Sequence, residues 1–105
     1  MNMMTQRFAW VLCAAVSFAC AGCYRPDAEH GAALFRKDCA GCHIPRPGQT
    51  TYVPSLAGYF DRRSRPNERK TRRTILEGGR YMPPFRMRLS SHDIDDVIAY
   101  LKTNP

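Results

Sequence analysis

An all-α fold is predicted for this 105-residue chain by the spacing of its apolar residues and by the punctuation between them. Ala28, Ala32, Phe35 and Cys39 recur at helical intervals, and Ile94, Val97, Ile98 and Leu101 fall at i, i+3, i+4 and i+7, one continuous apolar stripe. Between them, Asn67 and the pair Gly78-Gly79 bracket a third segment with a helix-start residue and a helix stop. What these helices surround is indicated by Cys39-Ala40-Gly41-Cys42-His43.

A C-x-x-C-H run points to covalently attached haem. Two thiols three positions apart can each add to a vinyl group of the porphyrin, and the adjacent His43 then supplies the proximal ligand to the iron. A closed zinc site would need a second pair of ligands at comparable spacing, and Cys23, His30 and His92 are scattered singly. A thioredoxin-like redox disulfide would want a βαβ setting of β-branched strands, which the chain lacks.

The first 22 residues read as an export signal. Arg7 precedes an uncharged stretch from Phe8 to Ala21 that is too short for a comfortable membrane span. Ala19-Cys20-Ala21 has the small-x-small form of an ordinary cleavage site. Cys20-Ala21-Gly22-Cys23 resembles a bacterial lipobox, with Cys20 where an aliphatic residue is usual. On the lipobox reading, which we favour, Cys23 is acylated, Cys39 and Cys42 carry haem, and no spare thiol remains in an oxidising compartment. On the other, Cys23 stays free.

Cleavage there leaves 83 residues, Cys23 to Pro105, enough for one small domain that needs a cofactor to complete a thin core. Residues 23–27 are expected to be a tether broken at Pro26, and residues 28–105 the haem domain. A first helix over 28–38 delivers the thiols to the haem edge. Residues 44–58, rich in Pro, Gly and Thr, form an irregular loop on the proximal side. The helix over 67–77 has Ile75 and Leu76 as its large aliphatics and so presents a single edge to the core. Ser90 or Ser91 caps the last helix, with Asp93 in a capping-box position and Asp95 and Asp96 near the positive end of its dipole. Gly31 permits that helix to approach the first one closely, and Phe35 fills the contact. His30 and His92 are expected to be exposed and without a role.

One histidine leaves the sixth coordination position of iron to be filled. Met82 and Met87 are the candidates, since a thioether is a soft, neutral donor that favours Fe(II) and raises the reduction potential. Spacing alone does not choose between them.

Four elements make the chain resemble the class I cytochrome c family, in particular the small monohaem cytochromes of bacteria. They are Gly31-x-x-x-Phe35 ahead of the haem motif, Pro54-Ser55-Leu56-Ala57-Gly58, Tyr81-Met82-Pro83-Pro84-Phe85, and Leu89-Ser90 running into Ile98-Ala99-Tyr100-Leu101. The resemblance implies N- and C-terminal helices packed crosswise around one covalent haem c, with a third helix and irregular loops. It also implies single-electron transfer without a small-molecule substrate, as a free carrier or as the electron-accepting subunit of a larger oxidoreductase. The methionine of the M-P-x-F element is the family's distal ligand, which selects Met82 and makes Met87 the fallback. Pro54 would offer its carbonyl to His43, fixing the ring and its tautomer, and Leu56, Tyr59 and Phe60 would line the pocket. The chain departs from the family at Ile44-Pro45-Arg46-Pro47-Gly48, a stiffer loop than the glycine-rich one usual there, and in its basicity.

Residues 61–88 hold ten basic side chains against three acidic ones, a local balance equal to the +7 of the whole chain. Arg62, Arg63, Arg69, Arg72, Arg73, Arg80 and Arg86 are therefore candidate docking residues for an acidic redox protein. A lipid-anchored form would add attraction to an anionic membrane surface, whereas export argues against nucleic acid as the partner. Two rival readings remain open at this point: a peroxidase-like enzyme or gas sensor in which Met82 is displaced, and a small disulfide-bonded lipoprotein without haem.

Overall fold

The computed structural model describes residues 22–44, 48, 53–64 and 66–105, and these are helical with no strand among them. Residues 1–21, which hold most of the stretch read from sequence as an export signal with Cys13 and Cys20, lie outside the described residues, as do the Pro45-Arg46-Pro47 stretch and Arg65. No helix among the described residues is long and apolar enough to cross a membrane.

Helix α1 runs Ala28–Asp38 and starts at Asp27, whose side chain accepts from the backbone N–H groups of Glu29 and His30. Glu29 in its first turn and Arg36 and Lys37 in its last complement the helix dipole. The backbone breaks at Cys39 and resumes as one turn, α2 (Ala40–His43), which holds most of the haem motif. Gly58, at a φ of 57°, then lets the chain turn into a 3₁₀ segment, Tyr59–Asp61. Helix α3 (Glu68–Glu77) begins at Asn67, whose side chain accepts from Arg69 N–H, and ends at Gly78. Helix α4 (Ser91–Leu101) opens on a complete capping box, with Ser90 accepting from Asp93 N–H and Asp93 accepting from Ser90 N–H.

The three long helices thus stand where the sequence puts them. The short α2 turn and the 3₁₀ segment do not show in its periodicity, because neither is long enough to carry one. The largest helix contact is α1 against α4. A β-carbon on Gly31 would stand 1.9 Å from the carbonyl oxygen of Asp96, so only glycine fits that crossing. Phe35 meets Tyr100 there at a ring-centroid distance of 5.3 Å. The stripe of Ile94, Val97, Ile98 and Leu101 is buried along its length, joined by Phe35, Ile75, Phe85 and Leu89.

Two expectations require correction. Residues 23–27 are not a loose tether: Tyr24 Oη donates to Asp96, Asp27 N–H donates to Asp96 Oδ1 at 2.7 Å, and the Tyr24 ring stacks on His92 at 3.8 Å. Asp96, assigned above to dipole and capping alone, is instead a buried carboxylate and the anchor of this strap. His30 and His92 are exposed as expected, yet both are engaged, His30 Nδ1 lying 2.7 Å from Asp96 Oδ2.

Candidate functional site

The helices leave a mostly apolar cavity of about 350 Å³ between α1, α3, α4 and the segment that follows α3. A cavity of that size and lining suits a large apolar group held by a few polar side chains.

Cys39, Cys42 and His43 stand together on its wall because the haem motif is wound into a helical turn. His43 N–H donates to the Cys39 carbonyl at 3.0 Å, so Cys39, Cys42 and His43 occupy i, i+3 and i+4 and share one face. Both thiols are free. Burial pushes the Cys39 thiol up to about 11, with the negative charges of Asp38 and Cys42 adding to the effect. A neutral thiol of this kind is the opposite of an activated redox or nucleophilic thiolate. Among the described residues no three metal-ligating side chains gather around the motif; His30, Asp93 and Asp96 do gather, on the far side of α4's first turn. Their hydrogen bonds to one another and to Tyr24, Asp27 and Ser90 account for that cluster.

His43 Nδ1 lies 2.8 Å from the Pro54 carbonyl oxygen. The carbonyl can only accept, so Nδ1 carries the proton and Nε2 is the ring's free donor to a metal. Pro54, Leu56 and Tyr59 line the cavity along with Val53. Phe60 does not: it is half-buried against the core, its ring edge-on to Tyr59 at 5.0 Å. Successive residues of a 3₁₀ turn point about 120° apart, which lets Tyr59 face the cavity while Phe60 packs on the core.

Met82 lines the cavity, half-buried, whereas Met87 is 90% exposed and stands outside it. The Met82 segment is seated on the end of α3. Gly79 N–H donates to the Met82 carbonyl at 2.9 Å, and Phe85 N–H to the Ile75 carbonyl at 2.9 Å. Gly78 has a φ of 75°, and a β-carbon there would stand 2.4 Å from the Met82 carbonyl oxygen. The sequence marks Gly78-Gly79 as a helix stop; the seat they make for Met82 depends on a close approach that no local signal carries. Thr71 and Thr74 also line the cavity, beyond the residues that the sequence singles out, as do Tyr81 of the methionine element and Arg80, which the sequence offers only as a docking residue. Thr71 and Thr74 are within reach of sequence reasoning, since they stand at i−4 and i−1 from Ile75 on one face of α3.

The arginines divide into two sets. Arg62 donates to the carbonyls of Ser55 and Ala57 and covers Tyr59, while Arg72 pairs with Asp95 and donates to the Ser91 carbonyl. Arg63, Arg69, Arg73, Arg80 and Arg86 are exposed. Arg80 lies over the Tyr81 ring at 5.5 Å on the cavity wall, and Tyr81 is itself 69% exposed.

Residues 26–101 match the protein family described as cytochrome c oxidase, cbb3-type, subunit III. The chain is 34% identical over 89 residues to cytochrome c6 of Picosynechococcus sp., an alignment that takes in 74% of this chain and 74% of the relative. Its fold superimposes on cytochrome c6 from the diatom Phaeodactylum tricornutum with a TM-score of 0.57 and 29% identity, over 73% of this chain and 92% of that one.

Proposed function

This chain belongs to the class I cytochrome c family, whose members transfer electrons through one covalently bound haem c; from that premise we propose that His43 and Met82 are its two axial ligands and that it works as a carrier, not as an enzyme. When bound, haem c supplies a one-electron Fe(III)/Fe(II) couple. The protein's residues do the rest. Cys39, at the N-cap of α2, and Cys42, within it, would hold the porphyrin by thioether bonds. Pro54 holds the proton on His43 Nδ1 and so presents Nε2 as the ligand atom. Met82, whose backbone is seated by Gly78 and Gly79, would offer a thioether from the cavity wall. Leu56, Tyr59, Ile75, Phe85, Val97 and Leu101 exclude water, which favours the less charged reduced state.

The single observation that carries this reading is the 2.8 Å contact of His43 Nδ1 with the Pro54 carbonyl, made on the wall of an apolar cavity that also receives Met82. With His43 and Met82 both held in place by the fold, electron transfer would need little rearrangement, and a substrate would find no open position on the iron. Arg80 on the cavity wall, with the exposed Arg63, Arg69, Arg73 and Arg86, forms a positive surface that selects an acidic redox partner by steering its approach. Residues 1–22 direct export to the periplasm or the envelope membrane, Cys23 receives a lipid, and residues 28–105 form the haem domain. Intact mass of the matured protein distinguishes lipidation from simple cleavage.

Visible spectra of the matured protein, oxidised and reduced, test the function directly, followed by carbon monoxide added to the reduced form. A covalent haem spectrum that carbon monoxide leaves unchanged is the expected result. A shifted spectrum would mean an open or labile sixth position and would favour the gas-sensor or peroxidase-like reading instead.

A further inference from the structure

Asp38 is a poor residue for its position. It is the last residue of α1, where a carboxylate opposes the negative end of the helix dipole. Its side chain is only 5% exposed and lines the haem cavity, immediately before the attachment residue Cys39. A carboxylate so placed is costly unless a cation meets it. The cation is Arg88, fifty residues further along, whose Nη2 donates to Asp38 Oδ1 at 2.7 Å.

Arg88 belongs to the segment that carries Met82. Its backbone N–H and that of Leu89 both donate to the Phe85 carbonyl at 2.9 Å, forming a turn that fixes Arg88 beside Phe85. Its guanidinium lies 5.8 Å above the Phe85 ring, itself a buried cavity wall. The segment from Met82 to Leu89 is therefore held at two ends by different means. Backbone hydrogen bonds to Gly79, just past α3, and to Ile75 of α3 hold the Met82 end, and the Asp38–Arg88 ion pair joins the other end to the helix that leads into the thiols.

We propose that the Asp38–Arg88 pair is a latch that keeps the Met82 segment closed over the haem pocket, Arg88 being a positioning residue for the distal ligand. The proposal rests on the reading of Met82 as that ligand. The latch is one ion pair with an outer partner 63% exposed. Its strength is thus modest and open to competition from carboxylates of a docking partner, which would loosen the distal ligand during encounter.

The test uses the haem-loaded protein with Arg88→Gln, Asp38→Asn and Arg88→Lys. Two quantities are read: the rate of carbon monoxide binding to the reduced form, and the weak far-red absorption that a thioether–ferric bond gives. Arg88→Gln and Asp38→Asn are each expected to raise the carbon monoxide rate about tenfold, because opening becomes more populated, and to weaken the far-red band. Arg88→Lys restores most of both, and the double variant is no faster than the faster single one.

A purely electrostatic role predicts otherwise. Removing a positive and a negative charge would then shift the reduction potential in opposite directions and leave carbon monoxide binding unchanged; that pattern overturns the latch. Met82→Ala serves as the reference. If it too leaves carbon monoxide binding unaltered, the ligand assignment fails, an outcome separable from failure of the latch alone.

Discussion

Gly31 of α1 and Asp96 of α4 meet backbone to backbone, so closely that a β-carbon on Gly31 would stand 1.9 Å from the Asp96 carbonyl oxygen and 2.4 Å from its carbonyl carbon. Neither helix can yield without moving the haem cavity, because Phe35 on one and Val97 and Leu101 on the other form its wall. Gly31→Ala would gain about 1 kcal/mol of helix propensity and lose about 3 kcal/mol or more to the clash. A net loss of roughly 2 kcal/mol is expected in urea unfolding of the haem-loaded protein. A neutral result would mean that the helices slide apart at no cost.

The two methionines separate cleanly. Met82→Ala should lower the reduction potential and admit carbon monoxide, since a soft donor on the cavity wall is lost. Met87→Ala should change neither, its side chain standing 90% exposed. Potentiometric titration of both variants checks the assignment, and the reverse pattern would transfer the ligand role to Met87.

Gly78→Ala tests the seat of Met82 without touching Met82 itself. At a φ of 75° and a ψ of −173°, the backbone of Gly78 lies in a region that L side chains avoid, and the added methyl would press on the Met82 carbonyl. The expected outcome is a loss of about 2 kcal/mol in stability, together with faster carbon monoxide binding. A stability loss without any change in ligand binding would show that the seat does not position Met82.

The strap from Tyr24 to α4 makes stability depend on pH in a defined direction. Hydrogen bonding to Asp96 raises His30 above its ordinary 6.5 and lifts the Tyr24 hydroxyl to about 12. Burial alone would raise Asp96, but hydrogen bonds from His30, Tyr24 and Asp27 outweigh it and hold the carboxyl below its ordinary value. Stabilisation by protonated His30 is complete below its unfolded value of 6.5 and is lost as pH rises through the higher folded value. The Asp96 contribution is present above the ordinary carboxylate value and fades as pH falls through the lowered one. Melting temperature should therefore fall as pH climbs above 6.5, and His30→Gln should flatten that slope. An unchanged slope in the variant would remove His30 from the account.

The division of the arginines predicts which substitutions slow encounter and which cost stability. Replacing Arg69, Arg73 and Arg86 together by Gln should slow reduction of the anionic oxidant ferricyanide about tenfold at low salt, with the difference shrinking as salt is added. Arg72→Gln removes a partly exposed pair with Asp95 and should instead cost about 0.5 kcal/mol of stability. Stopped-flow rates over a salt series, beside urea curves, distinguish the two effects.

The sequence by itself determined the haem chemistry and the three long helices. The haem motif is five contiguous residues, and the caps Asn67, Ser90 and Asp93 and the stop at Gly78 act within a turn of the helices they bound. Such signals are local, so one sequence suffices to read them. Even the fit of Gly31 against α4 was legible, because a glycine within a helix costs stability and is offset where a second backbone must come close.

Tertiary structure decided what depends on residues distant in the chain. It placed Met82 on the cavity wall and Met87 in solvent, a difference between the two that the sequence carried only by resemblance. It turned Phe60 away from the cavity, made Asp96 the buried anchor of the N-terminal strap, and joined Asp38 to Arg88. It also divided a uniform basic stretch into arginines that bind the fold and arginines that face solvent. In each case the partner is set by how helices pack. A carboxylate or guanidinium has the same local pattern whether its counter-charge is protein or water, and only burial tells them apart.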